Sequence, residues 1–386
     1  MNILFVANGH GENAIAARVA DSLREAVAEP LRLELLSLVG VGTSVGSLTV
    51  VGPRRALPSG GLVAMGNVRA FARDVVAGFP ALLCEQLAFL RRARGRYGAV
   101  VAVGDTYALG LALLTGTRPV FVGTAKSVYV ARYGPFERVL LRRAVKVYVR
   151  DEPTADDLVA RRVLAEAPGN VIADLALPER PARPGTWLGL LPGSRESAYG
   201  DAVRLARVAR GLAVRRPDIG ALLSVAPSLD AGRLARELER DGWSIAPKPS
   251  LAVGESLLFE AHAGAVRLVG WRGPLGALLA ASRLVLGQAG TANEQAAARG
   301  LPVLALEGSG QREDWYRMRQ RRLLGDALLL VPAAPEAAAA ALDALLDDPA
   351  RMRRMSEAGR RRIGPTGGAD AVARGILSIA HNRAAC

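Results

Sequence analysis

At 386 residues the chain is long enough for two domains of ordinary size, and with 50% hydrophobic and 22% charged residues it is not an intrinsically disordered chain. Its two cysteines, Cys84 and Cys386, supply neither a disulfide framework nor a thiolate zinc site, which points to a reducing compartment. The net charge of +14 rests almost wholly on arginine, and residues 69–150 hold 14 Lys/Arg against 4 Asp/Glu, so one domain is expected to carry a basic face suited to phosphate groups or an anionic membrane; no zinc-finger or RNA-recognition pattern makes it a nucleic-acid interface.

The chain opens on an apolar strand, Ile3–Ala7, with no basic region or cleavage site before it, so no signal peptide is expected and the protein is placed in the cytoplasm. The strand runs into Asn8-Gly9-His10-Gly11-Glu12-Asn13, and a helical pattern starts at about Ala14. Glycines at a strand-to-helix turn let backbone approach a ligand, and a helix N-terminus favours anions, which makes Asn8, Gly9, Gly11 and Glu12 candidate substrate-binding residues; the alternative is a plain tight turn. His10 is one of only three histidines. It is a candidate catalytic base or phosphate-orienting group, or else a structural residue.

Leu35–Pro53 is uncharged but broken by glycine, serine and threonine, so it reads as strands and turns rather than a membrane span. Val63–Leu90 has an apolar helical surface (Phe71, Val75, Val76, Phe79, Leu82, Leu83, Leu87, Phe89, Leu90) followed by Arg91, Arg92, Arg94 and Arg96. Such a surface either lies on an anionic membrane or is a buried amphipathic helix with a solvated basic end. Tyr129–Phe136 is a second aromatic and basic patch, for membrane or interdomain packing.

Apolar runs at Ala99–Val103, Val120–Val122, Val145–Val149, Trp187–Leu191, Gly220–Val225, Ala265–Val269, Leu284–Leu286 and Val303–Leu306 alternate with helical patterns, which implies parallel sheets. Pro178–Pro184, with three prolines, reads as a linker. The expected architecture is α/β: two Rossmann-like, doubly wound domains facing each other across a cleft, one over 1–180 and one over 185–365. A C-terminal helix over 366–386 is expected to cross back to the first domain. Asp156-Asp157 and Asp347-Asp348 are expected on the surface.

In the second half, Pro192-Gly193-Ser194-Arg195 follows a strand and precedes a helix near Asp201. Gly193 and Ser194 can donate N–H and O–H to a diphosphate and Arg195 can neutralise it; the alternative is a simple exit loop. Further on, Gly290-Thr291 sits where a helix N-terminus would meet a phosphate, with Glu294 one turn in to accept ribose hydroxyls or merely to complement the helix dipole. Two phosphate-type loops at strand ends of one domain together favour a nucleotide site.

Leu-Pro-Gly-Ser-Arg at 191–195 and Gly-Thr-Ala…Glu at 290–294, followed by Gly300-Leu301-Pro302-Val303, resemble the donor-domain motifs of lipid-A-disaccharide synthases, which are GT-B glycosyltransferases. Asn8-Gly9-His10-Gly11-Glu12 and Gly169-Asn170-Val171-Ile172-Ala173-Asp174 are similar to a divergent branch, the lipid-A-disaccharide synthase-related proteins. The resemblance implies inverting, metal-independent transfer of a glucosamine derivative from UDP to a lipid-linked acceptor, with no cofactor. Nucleotide sugar, glycolipid and the inner membrane face become the expected partners, and nucleic acid does not. It also implies a catalytic aspartate at Asp105. An acid after a parallel strand can remove an acceptor proton or support a cationic transition state, or simply cap the next helix.

The chain departs from the synthase pattern on the acceptor half. It lacks the serine and aspartate of the opening Gly-Glu-Ala-Ser-Gly-Asp motif, and the Asp-Phe-Asn motif is reduced to Gly104-Asp105-Thr106-Tyr107. Donor chemistry is therefore better supported than a lipid A product. A nucleotide-sugar 2-epimerase on the same fold and a non-catalytic nucleotide-sugar or lipid-binding relative are the alternatives.

Overall fold

The computed structural model describes residues 1–38, 44–55, 57, 68–175, 182, 185–246, 256–264, 266–308 and 311–384. The chain forms two compact units, Met1–Leu175 with Gly364–Cys386, and Ala176–Ile363. Most of the proline-rich segment read as a linker lies outside the described residues.

The first unit contains β1 (Asn2–Ala7), α1 (His10–Ala26), β2 (Arg32–Ser37), β3 (Ser44–Val45), β4 (Leu48–Val50), α2 (Val68–Val76), α3 (Phe79–Arg92) and β5 (Ala99–Gly104). There follow α4 (Thr106–Ala112), β6 (Val120–Gly123), α5 (Pro135–Leu141), β7 (Lys146–Val149), α6 (Glu152–Val159), β8 (Ala165–Glu166) and α7 (Val171–Asp174). Its sheet runs β3-β4-β2-β1-β5-β6-β7-β8, parallel throughout except for the β3–β4 pair. All six residues of β5 are buried, as a strand covered by helices on both faces requires, and this is why the sequence reads there as one apolar run.

The second unit contains β9 (Thr186–Leu191), α8 (Ala198–Ala213), β10 (Ile219–Ser224), α9 (Ala231–Arg240), β11 (Ser244–Ala246), β12 (Leu257–Ala263), β13 (Val266–Trp271), α10 (Leu275–Ala281) and β14 (Ser282–Gly287). It continues with α11 (Thr291–Ala298), β15 (Val303–Leu306), α12 (Gln311–Leu324), β16 (Leu328–Val331), α13 (Pro335–Leu346) and α14 (Pro349–Ile363). The order is β11-β12-β13-β10-β9-β14-β15-β16. Contrary to the expectation of parallel pairing alone, β12 is antiparallel to both β11 and β13. Its residues alternate buried and wet, so it presents only one face to the core.

The last helix, α15 (Gly368–Ala384), belongs to the first unit. Ala369, Val372, Ala373 and Ile376 are buried in one core with Ile3, Phe5, Ile15 and Val19. The Asp174 carboxylate accepts N–H bonds from Gly367 (2.6 Å) and Ala369 (2.7 Å), and the Ser22 hydroxyl donates to Asp370 (2.6 Å).

The single apolar surface expected over Val63–Leu90 is two helices, parted at Gly78, whose φ of 91° ends the first. Phe79, Leu82 and Leu90 are buried, Leu83, Leu87 and Phe89 pack half-buried against the core, and Val75 and Val76 are exposed, so most of the described surface packs inward. Residues 63–67 and the Phe71 side chain lie outside the described residues. Asp157, expected on the surface, is tucked against Arg132 (3.2 Å) and Arg161 (2.5 Å). Among the described residues no helix is long and apolar enough to cross a membrane.

Candidate functional site

In a doubly wound sheet the loops on either side of the point where strand order reverses part from each other, leaving a crevice at the carboxyl ends of the strands. In the first sheet the reversal lies between β1 and β5, and in the second between β9 and β14. The four loops leaving these strands are those that carry Asn8–Glu12, Asp105, Gly193–Arg195 and Gly290–Glu294.

In the first unit the Asn8 amide nitrogen donates to Asp105 Oδ2 at 2.9 Å, joining the two loops across the switch point. Asp105 Oδ1 accepts the Ala108 N–H at 3.0 Å, so Asp105 does cap α4 while remaining partly exposed. Helix α1 begins at His10 rather than near Ala14, because the Gly9 carbonyl already accepts the Asn13 N–H at 2.9 Å. Gly11 and Glu12 therefore stand on its first turn. Gly104, at φ +115°, holds a backbone that L side chains avoid, and a Cβ there would sit 2.8 Å from Glu12 Cγ; Glu12 thus lies against the residue preceding Asp105. The His10 side chain lies outside the described residues.

Beside these loops is a charged group that the sequence reading did not single out. Glu137 accepts from Lys126 Nζ (2.6 Å), the Gly134 N–H (2.7 Å) and the Thr106 hydroxyl (3.2 Å). Burial acts to raise its carboxyl, but these donors and the Lys126 charge outweigh it and hold it below the ordinary carboxylate value. Burial, aided by the Asp105 charge, pushes the Tyr107 phenol up to about 12. Lys126 is one of three lysines in the chain, the one signal in the sequence that could have marked this group.

In the second unit Gly193 takes φ +107°, a turn that favours glycine, and a Cβ there would lie 3.9 Å from Ala289 Cα, so the two loops touch. The N–H groups of Gln288 and Ala289 both donate to the Leu191 carbonyl, at 2.9 and 3.1 Å. The Ser194 carbonyl accepts from the Ser228 hydroxyl at 2.8 Å, and Arg195 is exposed. Gly290 caps α11 without any side-chain hydrogen bond, which leaves the helix's positive end to Thr291 and the residues after it. Glu294 is 9% exposed on the first turn of that helix.

Tyr316, on α12, joins these residues although the sequence reading passed over it. A Cβ on Gly290 would lie 2.7 Å from its hydroxyl. Burial raises the phenol's pKa; the Arg195 charge lowers it and the Glu294 charge raises it, so the ring sits within the field of both. Helix α12 is polar around most of its circumference, which hid its inward-facing residues from any reading of apolar periodicity. Among the described residues no three His, Cys, Asp or Glu side chains form a metal-binding group.

No family model matches the chain, and no curated protein matches it. Solved structures do. A Listeria monocytogenes protein assigned as a UDP-N-acetylglucosamine 2-epimerase superposes with a TM-score of 0.60 at 15% identity, covering 97% of this chain and 96% of its own. The glycotransferase of kitacinnamycin gives 0.59 at 17% identity over 98% of each chain. The UDP-GlcNAc 2-epimerase of Neisseria meningitidis, solved bound to UDP-GlcNAc, gives 0.55 at 13% identity over 98% of this chain and 100% of its own. At these identities the likeness is one of fold: the protein consists of two Rossmann-like α/β units and has the GT-B fold.

Proposed function

We propose that the protein is an inverting, metal-independent glycosyltransferase that moves a sugar, a glucosamine derivative, from UDP to a lipid-linked acceptor. One observation carries the reading: in each unit, the residues marked by the sequence gather at the reversal of strand order, and in the second unit two phosphate-type loops meet there. In this reading the α11 N-terminus at Gly290 and Thr291, with Gly193, Ser194 and Arg195, holds the diphosphate, and Glu294 accepts the ribose hydroxyls.

Asp105, oriented by Asn8 and by its cap on α4, takes the proton of the acceptor hydroxyl; His10 is the other candidate base. The acceptor oxygen attacks the anomeric carbon from the face opposite the nucleotide. The bond to the UDP oxygen breaks with its electron pair leaving on the diphosphate, whose charge Arg195 and the helix end stabilise. The exposed Arg91 and Arg92 in the last turn of α3 and Arg94 and Arg96 just after it, with exposed Phe136 and Val139 on α5, support peripheral contact with an anionic membrane face in the cytoplasm.

A second reading, UDP-sugar 2-epimerase, is favoured by the likeness of the whole chain to proteins described as 2-epimerases. The two differ in whether an acceptor is needed. UDP-GlcNAc and its acylated derivative are incubated with the protein, with and without a membrane-lipid extract, and the products are separated. Transfer predicts UDP release only with the extract, abolished by Asp105→Ala. A C2 epimer formed without extract would replace transfer by epimerisation, and bound donor with no turnover would leave a non-catalytic nucleotide-sugar-binding protein.

A further inference from the structure

Four consecutive carbonyls in the β14–α11 loop are held by buried side chains. Asn293 Nδ2 donates to the Gly287 carbonyl (3.1 Å), Arg317 Nη1 to Gln288 (3.0 Å), and Gln320 Nε2 to Ala289 (2.6 Å) and, at longer range, to Gly290 (3.4 Å). Asn293 Nδ2 also donates to Gln320 Oε1 at 3.2 Å, so the two amides brace each other. Asn293 is fully buried, and Gln320 and Arg317 are 5% and 6% exposed. Burying two amides and a guanidinium is costly unless they are hydrogen-bonded, and here the bonds are spent on one loop.

The consequence is directional. The C=O and N–H of a trans peptide point to opposite sides of the chain. With the Gly287 and Gln288 carbonyls held by Asn293 and Arg317, the following N–H groups, of Gln288 and Ala289, reach the Leu191 carbonyl. With the Ala289 carbonyl held by Gln320, the Gly290 N–H must point away from Gln320. The Gly290 carbonyl is taken by the Asn293 and Glu294 N–H groups as α11 begins. A peptide beside a glycine otherwise turns over at little cost, so the Gln320 bond decides which way this amide faces.

We propose that Gln320 is a positioning residue that aims the Gly290 N–H at the diphosphate of the donor. The inference rests on the donor role proposed above for Gly290 and Thr291. Gln320 does not touch the ligand in this account; it fixes a dipole that does, so its removal weakens recognition of phosphate and leaves recognition of the nucleoside alone.

The test compares full-length wild type with Gln320→Glu, which keeps the shape but loses the donor, and with Gln320→Met, which keeps the length without any polar group. Affinities for UDP and for uridine are measured by calorimetry and NMR titration. The expected result is a fall of about tenfold in UDP affinity in both variants with uridine affinity unchanged. The UDP-to-uridine ratio does not depend on what fraction of a variant is folded, so partial destabilisation does not blur the result. An unchanged ratio in the variants, beside a wild type that prefers UDP, overturns the positioning role alone. A wild type that binds UDP no better than uridine overturns the donor reading, and this inference with it.

Discussion

Replacing Asp174 by alanine should loosen the C-terminal helix while leaving the second unit intact. The carboxylate is 4% exposed and accepts two N–H bonds at the start of α15, from Gly367 at 2.6 Å and Ala369 at 2.7 Å. Hydrogen bonds to a charged group contribute about 1.5–3 kcal/mol each, and the variant leaves two donors without an acceptor. Allowing for solvent reaching the Gly367 side, the expected loss is about 3 kcal/mol. If α15 opens as a local unit, its amides should exchange roughly a hundredfold faster, since each tenfold corresponds to about 1.4 kcal/mol. Asp174→Asn, which keeps one acceptor oxygen, should fall between. Hydrogen exchange read by mass spectrometry over residues 369–384 gives the number, and tryptophan fluorescence gives the control, because Trp187, Trp243, Trp271 and Trp315 all lie in Ala176–Ile363. Exchange in α15 less than about threefold faster would refute the fastening role assigned to Asp174.

Three further outcomes follow from the same geometry. If Glu294 takes the proposed ribose-binding role, Glu294→Ala should raise the donor KM by about tenfold with a smaller change in kcat, measured by steady-state UDP release, because loss of a binding contact acts mainly on KM. Gly359→Ala should cost about 2 kcal/mol in urea unfolding, since its methyl would run into the Ala297 carbonyl where α14 packs on α11. Glu137→Gln should lower Tm at pH 7, and the gap to wild type should narrow steadily as pH falls below 4.5. A carboxylate whose folded pKa is depressed stabilises the fold above its unfolded value, near 4.5, and that contribution fades as pH falls through the lower folded value. A Tm gap between wild type and variant that does not narrow below pH 4.5 would contradict the assignment.

The central strands were legible because burial on both faces leaves nothing to alternate: β1, β5, β9 and β14 are runs of apolar residues and nearly every position is inside. The loops that follow them were legible for a related reason, since a positive φ at Gly104 and Gly193 and an anion-ready helix start at Gly290 demand particular residues. Elements without such demands were not. In β12 the inward Phe259 and Ala261 alternate with Glu260 and His262, a weak pattern over a short span, and β3 and β8 have two residues each, too few for any period. The braces behind the β14–α11 loop were hidden in α12, where Arg317 and Gln320 face inward from a helix half of whose residues are charged. Burial of polar side chains is set by what they bond to in space, and local spacing carries no trace of it.

The proposed donor role requires that a nucleoside diphosphate bind at the adjoining loops that leave β9 and β14. Hydrogen exchange of the wild-type protein with and without saturating UDP tests it most directly. Protection of peptides covering residues 190–198 and 287–298, with little change over residues 104–112, is the result the account predicts. Bound UDP that leaves both of the first two segments unprotected, or that protects the loops after β1 and β5 instead, would contradict it.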